Sequence, residues 1–258
     1  MRKLRKIRIL MYVLLFLASA VLLFVGYNLV KIQQVYAAGE SAYKSLSEQV
    51  VVTRKTTKEG VSVPIEENSE PSDSPQSEEN EAIEDESPVI SVDFEKLREI
   101  NSDAVAWIYF DDDHSYPVMQ GKDNDYYLRH LYDRSYHING TPFLDCQCAR
   151  DFSDDVSIIY GHNMRDGSIF QILTKYAKPK YLKAHDRILL LTPTKDYALQ
   201  VLSYQLVPSY DSIYEMKKSC LVDYIAVEDD TRYVLLSTCS YEFEGARAVV
   251  ICKLSKLQ

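Results

Sequence analysis

A mainly β fold, an eight-stranded barrel closed or nearly closed on itself with a few helical additions, is what the C-terminal two-thirds of this chain predicts. Three observations carry it. Residues 105–254 hold about eight apolar runs of strand length, only two or three stretches have helical spacing, and helices do not alternate with the strands as a doubly wound α/β sheet requires. Closure is favoured because it leaves no strand edge unpaired.

Ahead of the barrel the 258-residue chain is uneven. Residues 1–8 form a basic tip with Arg2, Lys3, Arg5, Lys6 and Arg8, and residues 9–30 are almost continuously apolar, broken only by Ser19, Gly26 and Asn28. As a helix this run reaches about 33 Å, enough to cross a hydrocarbon core of about 30 Å. Positive charge before the span places the N-terminus in the cytoplasm and the remainder outside. The run is longer than the apolar part of a signal peptide, and the small residues near Val35-Tyr36-Ala37 lie well past its end. Both facts favour an uncleaved anchor over a cleaved leader.

Residues 31–90 read as an extracellular acidic linker. From Glu59 to Glu95 there are thirteen acidic residues and no Lys or Arg, with Pro64, Pro71, Pro75 and Pro88 among many serines. Such a stretch buries too little apolar surface to offset its ordering entropy, so it is expected to be a solvated spacer that sets the reach of the domain. It also accounts for the net charge of −9, which therefore says nothing about substrate. No basic patch supports a nucleic-acid partner.

Residues 91–258 read as one domain. It opens with a helix in which Phe94, Leu97 and Ile100 recur at helical spacing behind a capping Asp93. Strands are expected at 105–110, 116–119, 141–144 and 156–160. A helix entered from a turn is expected at 167–173, ending before Pro179, and strands resume at 187–191, 197–207, 233–238 and 246–254.

The chemistry concentrates at strand ends. Cys239 closes the apolar run Leu235-Leu236-Ser237-Thr238-Cys239, and Arg247 starts the next strand of a tight antiparallel pair, which would bring a permanent cation beside the thiol. Such a cation favours thiolate and can stabilise an oxyanion. His162 ends its own strand behind Gly161, a residue that permits close backbone approach. Imidazole exchanges protons near neutral pH. Taken singly, each has a blander reading: a small core thiol, a solvated charge and a structural histidine. The case rests on the three together. His114, His130, His137 and His185 lie in less suggestive surroundings. Five cysteines leave at least one thiol free; Cys146 and Cys148 lack the further ligands of a structural zinc site, and Cys220 and Cys252 read as small core residues.

With these residues in view, the domain resembles a sortase, and within that family a class B sortase. The resemblance spans about residues 94–254. It is carried by Tyr160-Gly161-His162-Asn163-Met164, by Leu236-Ser237-Thr238-Cys239 with Arg247, and by Trp107-Ile108, Tyr116-Pro117-Val118-Met119-Gln120, Asn124-Asp125-Tyr126-Tyr127-Leu128 and Asp166-Gly167-Ser168-Ile169-Phe170. It implies a cysteine transpeptidase with Cys239 as nucleophile, His162 as acid–base group and Arg247 at the oxyanion. The implied substrate is a secreted protein with a C-terminal sorting signal, and the acceptor a peptidoglycan amine at a Gram-positive cell envelope. Asn124, Leu128, Ser237 and Tyr241 are implied in the groove around the nucleophile, although turn capping by Asn124 and packing by Leu128 and Tyr241 are equally open readings. No cofactor or metal is implied. Two departures stand out: Leu235 occupies a position where the family usually has Thr, and the segment between Tyr210 and Tyr233 is short where class B members carry a long helical loop. The alternatives are a pilin-polymerising role, a hydrolytic cysteine peptidase, which His-before-Cys order disfavours, and a non-catalytic surface-binding module.

Overall fold

The computed structural model describes residues 2–54, 89–111 and 113–257. Eight strands close into a barrel: β3 (Ala104–Asp111), β4 (His114–Met119), β5 (Phe143–Leu144), β6 (Val156–Tyr160), β7 (Arg187–Leu191), β8 (Tyr197–Pro208), β9 (Arg232–Cys239) and β10 (Ala246–Lys256). Around the barrel the order is β10-β8-β7-β3-β4-β5-β6-β9, which confirms the expected fold class. The β4–β5 and β6–β9 pairs are parallel and the others antiparallel.

Alternation along the strands explains the core. Ile108, Val118, Leu144, Leu190, Leu236 and Val250 come from six different strands and meet in one buried cluster. Their neighbours in sequence turn outward and are covered by other elements. Trp107, Met119 and Phe143 form a second cluster with Leu97 of helix α2 (Phe94–Ile100) and with Leu46 and Val50. Tyr233, Leu235 and Val249 form a third with Ile213 and Leu221 of the β8–β9 connection. Leu235 is thus a fully buried packing residue. At the start of α2 the Asp93 carboxylate accepts from the Lys96 amide, as the sequence predicts.

The structure departs from the sequence reading in two places. Residues 167–173 do not form an α-helix. The chain instead makes a run of 3-10 turns over Phe170–Ala177, followed by the short helix α3 (Pro179–Ala184). Its entry is strained, since the β-branched Ile169 sits at φ 56°, where its amide donates to the Tyr116 hydroxyl at 3.1 Å.

The second departure is the linker. Helix α1 (Arg2–Val50) runs on through residues 31–50 instead of ending at residue 30, and it leads into β1 (Val51–Arg54), which pairs antiparallel with β2 (Val89–Val92). Tyr43, Leu46 and Val50 of α1 are buried against the barrel wall. The physical reason is that residues 31–50 carry their apolar side chains at helical spacing on one face, and this face has a partner. The folded unit therefore begins well before residue 91, and only 55–88 of the expected acidic linker remain, lying outside the described residues.

Candidate active site

Three adjacent strand ends build the site. In the parallel β6–β9 pair Tyr160 is in register with Ser237, and the Gly161 amide donates to the Ser237 carbonyl at 3.1 Å. His162 and Cys239 therefore leave the barrel at the same end of neighbouring strands. In the antiparallel β9–β10 pair Arg247 is directly opposite Cys239, so the two side chains share a face of the sheet. The turn between them is tightened by Gly245 at φ 75°. Glycine at position 161 is required by packing, because a Cβ there would stand 2.6 Å from the Phe170 ring.

These residues open onto a cleft of about 410 Å³ lined by Asn124, Leu128, Phe143, Tyr160, Gly161, His162, Ser209, Tyr214, Ser237, Thr238, Cys239 and Arg247. Six of the seven residues singled out from sequence thus meet in one place. Tyr241 does not join them: it is 72% exposed and lines a neighbouring cleft with Asn163, Arg165, Gln171 and Glu242. Sequence reasoning missed Tyr160 and Tyr214.

Hydrogen bonds fix what each group can do. His162 Nε2 lies 2.7 Å from the Leu128 carbonyl. A carbonyl only accepts, so Nε2 carries the hydrogen, and Nδ1 is the nitrogen left to gain and lose a proton. Arg247 Nη1 donates to the Ala246 carbonyl at 3.1 Å and reaches that of Gly245 at 3.5 Å, and among the described residues no carboxylate pairs with it, so most of its fork remains available. Asn163 Nδ2 donates to the Cys239 carbonyl at 2.8 Å and steadies the backbone at the thiol.

The groove walls are equally defined. Asn124 lines the cleft, and its amide is held at both ends, donating to Asp145 Oδ2 at 2.9 Å and accepting from the Cys146 amide at 2.8 Å. The Tyr160 hydroxyl donates to the same Asp145 oxygen at 3.0 Å. Burial, reinforced by Asp145, holds the Tyr160 phenol well above its ordinary range, so it stays a donor. Tyr214 meets Ser237 Oγ at 2.9 Å; burial raises its phenol too, a shift that the Ser237 contact and the Arg247 charge partly oppose. Tyr214 comes from the short β8–β9 connection, which therefore does supply a wall.

All five cysteines are free thiols. Burial pushes Cys148 up to about 11 and drives Cys252 higher still, which keeps both as unreactive thiols at neutral pH. The partly exposed Cys239, in the cleft beside a cation and an imidazole, has the surroundings of a nucleophile. The arrangement fits acyl transfer through a covalent thioester.

Comparison with known proteins agrees with this geometry. The chain is 32% identical over 177 residues to sortase B of Listeria monocytogenes, covering 61% of this chain and 72% of that one. It is 30% identical over 183 residues to sortase B of Staphylococcus aureus, covering 64% and 75%. A solved Staphylococcus aureus sortase B–substrate complex superposes with a TM-score of 0.58 at 28% identity, covering 64% of this chain and 85% of the other. No protein-family model matches the chain.

Proposed function

Since the chain belongs to the class B sortase family and is a cysteine transpeptidase, we propose that Cys239, His162 and Arg247 carry out its reaction on the sorting signals of secreted proteins. The single observation that carries this reading is the β9–β10 register, which sets Arg247 opposite Cys239 at the cleft that His162 also lines.

Cys239 thiolate attacks the carbonyl of a threonine in the sorting motif, and the Arg247 guanidinium donates to the oxyanion that forms. As the tetrahedral intermediate collapses, the C–N bond breaks and His162 gives a proton from Nδ1 to the departing amine. The acyl group is then a thioester on Cys239. A peptidoglycan amine attacks it, His162 takes the proton, and the thiolate is released as the new amide forms. The groove from Asn124 and Leu128 to Ser237 holds the part of the motif ahead of the threonine.

Anchoring at the cell membrane completes the proposal. Helix α1 has a stretch of mean hydropathy 2.0 whose large apolar side chains, among them Phe16, Leu22, Leu23 and Phe24, are exposed. Five basic residues before it favour a cytoplasmic N-terminus and an extracellular barrel. The enzyme then shares one surface with the membrane-borne sorting signal and the lipid-linked wall precursor.

The test is intact-mass measurement after mixing with a threonine-containing sorting peptide. A covalent acyl adduct is expected on the native protein and none on Cys239→Ala; an adduct persisting in the variant would remove Cys239 as nucleophile. A peptide library with NPxTN-like and PxTG-like members, read with and without an added amine, identifies motif and acceptor.

A further inference from the structure

Helix α1 and His162 are joined through residues 127–141. Tyr43, on the part of α1 that packs on the barrel, is buried with its ring edge-on to Tyr116 at 5.4 Å between centroids. Its hydroxyl donates to the Gly140 carbonyl and lies 2.9 Å from Thr141 Oγ1. Burial holds this phenol far above its ordinary range, so it remains a donor. Gly140 sits at φ +57° with its backbone pressed on the next turn of chain. A Cβ there would stand 2.4 Å from the Tyr127 carbonyl oxygen and 2.8 Å from that of Leu128. Thr141 closes the same contact by donating its amide to the Tyr127 carbonyl at 2.9 Å and its hydroxyl to that of His130 at 3.0 Å. The Leu128 carbonyl is the acceptor for His162 Nε2.

The same segment grips the helix at other points. Tyr132 donates its hydroxyl to the Ala42 carbonyl at 3.2 Å, and His137 Nε2 donates to that of Val35 at 2.9 Å. Gly39 faces His137 and Asn139 so closely that a Cβ would stand 2.6 and 2.7 Å from their side chains.

We infer that Tyr43 is a positioning residue for transpeptidation: through its hydroxyl the docked helix holds the 127–141 segment, so that the Leu128 carbonyl keeps the hydrogen on His162 Nε2 and leaves Nδ1 to exchange the proton. The inference rests on His162 being the acid–base group proposed above. Docking of the membrane helix and the state of the catalytic imidazole are then one equilibrium, in which undocking releases the loop and lets the ring turn or change tautomer.

The test uses the full chain in lipid nanodiscs. Tyr43→Phe keeps the ring and removes the donor. Gly39→Leu blocks docking while installing a stronger helix former, so a loss cannot come from a weakened helix. In the native chain the ¹⁵N signals of the neutral His162 ring are expected to report one tautomer, with hydrogen on Nε2; both variants should show a mixture. Both should lose about tenfold in kcat, since small displacements of a reacting group are costly. KM for the sorting peptide should rise by less than kcat falls, since Asn124 and Ser237 lie outside the released segment and only Leu128 of the groove belongs to it. Val201→Ala, a core truncation elsewhere in the barrel, should lower the melting temperature and leave the imidazole signal as it was. Native tautomer and native kcat in both helix variants overturn the inference, as does an equal tautomer change in Val201→Ala. Loss of the function proposed above would read differently: the native chain would form no acyl adduct, or His162→Ala would keep full transfer, whatever the tautomer measurement gave.

Discussion

Arg247 faces Cys239 across the β9–β10 ladder with most of its guanidinium uncommitted. Lysine there keeps the charge and loses the planar fork, so Arg247→Lys is expected to lower kcat by about a hundredfold, the usual scale for a lost oxyanion donor. Steady-state kinetics with a sorting peptide decide it, and near-native turnover would leave Arg247 as a charge of no special geometry. Cys239, His162 and Arg247 were legible in the sequence because each sits where an apolar run stops or starts, and strand ends leave a local mark. Tyr214 left none: it is one of twenty tyrosines, and its contact with Ser237 spans 23 positions of chain. Tyr241 was placed in the groove by resemblance, and the structure turns it to solvent because the turn after Cys239 has no periodicity to fix a side-chain direction.

The elements follow the same division. Eight strands and helix α2 could be read from apolar spacing and a capping aspartate, since both signals are carried by residues near in sequence. The course of 126–141 could not, because it is set by Gly140 touching carbonyls a dozen residues earlier. Gly140→Ala is a severe test of that packing. The left-handed φ of +57° disfavours any side chain, and the new Cβ would meet backbone, which cannot swing away as a side-chain tip can. A loss of at least about 2 kcal/mol is expected in denaturant unfolding. Acyl transfer should fall further than the residual folded fraction explains, because the Leu128 carbonyl that orients His162 moves with the loop. Unchanged stability would mean that the loop accommodates a side chain by another route.

For the whole molecule, the continuity of α1 alters how the enzyme meets its surface. Composition marks residues 31–90 as a spacer, yet the barrel first touches the helix at Val35, where His137 reaches its carbonyl. Five residues beyond the apolar stretch correspond to about 8 Å of helix, so with the anchoring proposed above the catalytic barrel would sit close against the membrane face instead of at the end of a long tether. It follows that a domain cut at Ser91 is not the native folding unit. It loses Tyr43, Leu46 and Val50 from the barrel wall and the partner of β2, and it opens the buried cluster that Leu46 and Val50 share with Trp107 and Leu97. Burial of three such side chains, at about 1.5–3 kcal/mol each, contributes roughly 5–9 kcal/mol as an upper figure. That is comparable with the whole stability of a domain, about 5–15 kcal/mol. A chain starting at Lys31 should therefore unfold in one transition, with a midpoint well above that of a chain starting at Ser91. Coincident midpoints would mean that the docked helix adds nothing to the barrel it covers, and the continuous rod from membrane to active site would then have to be abandoned.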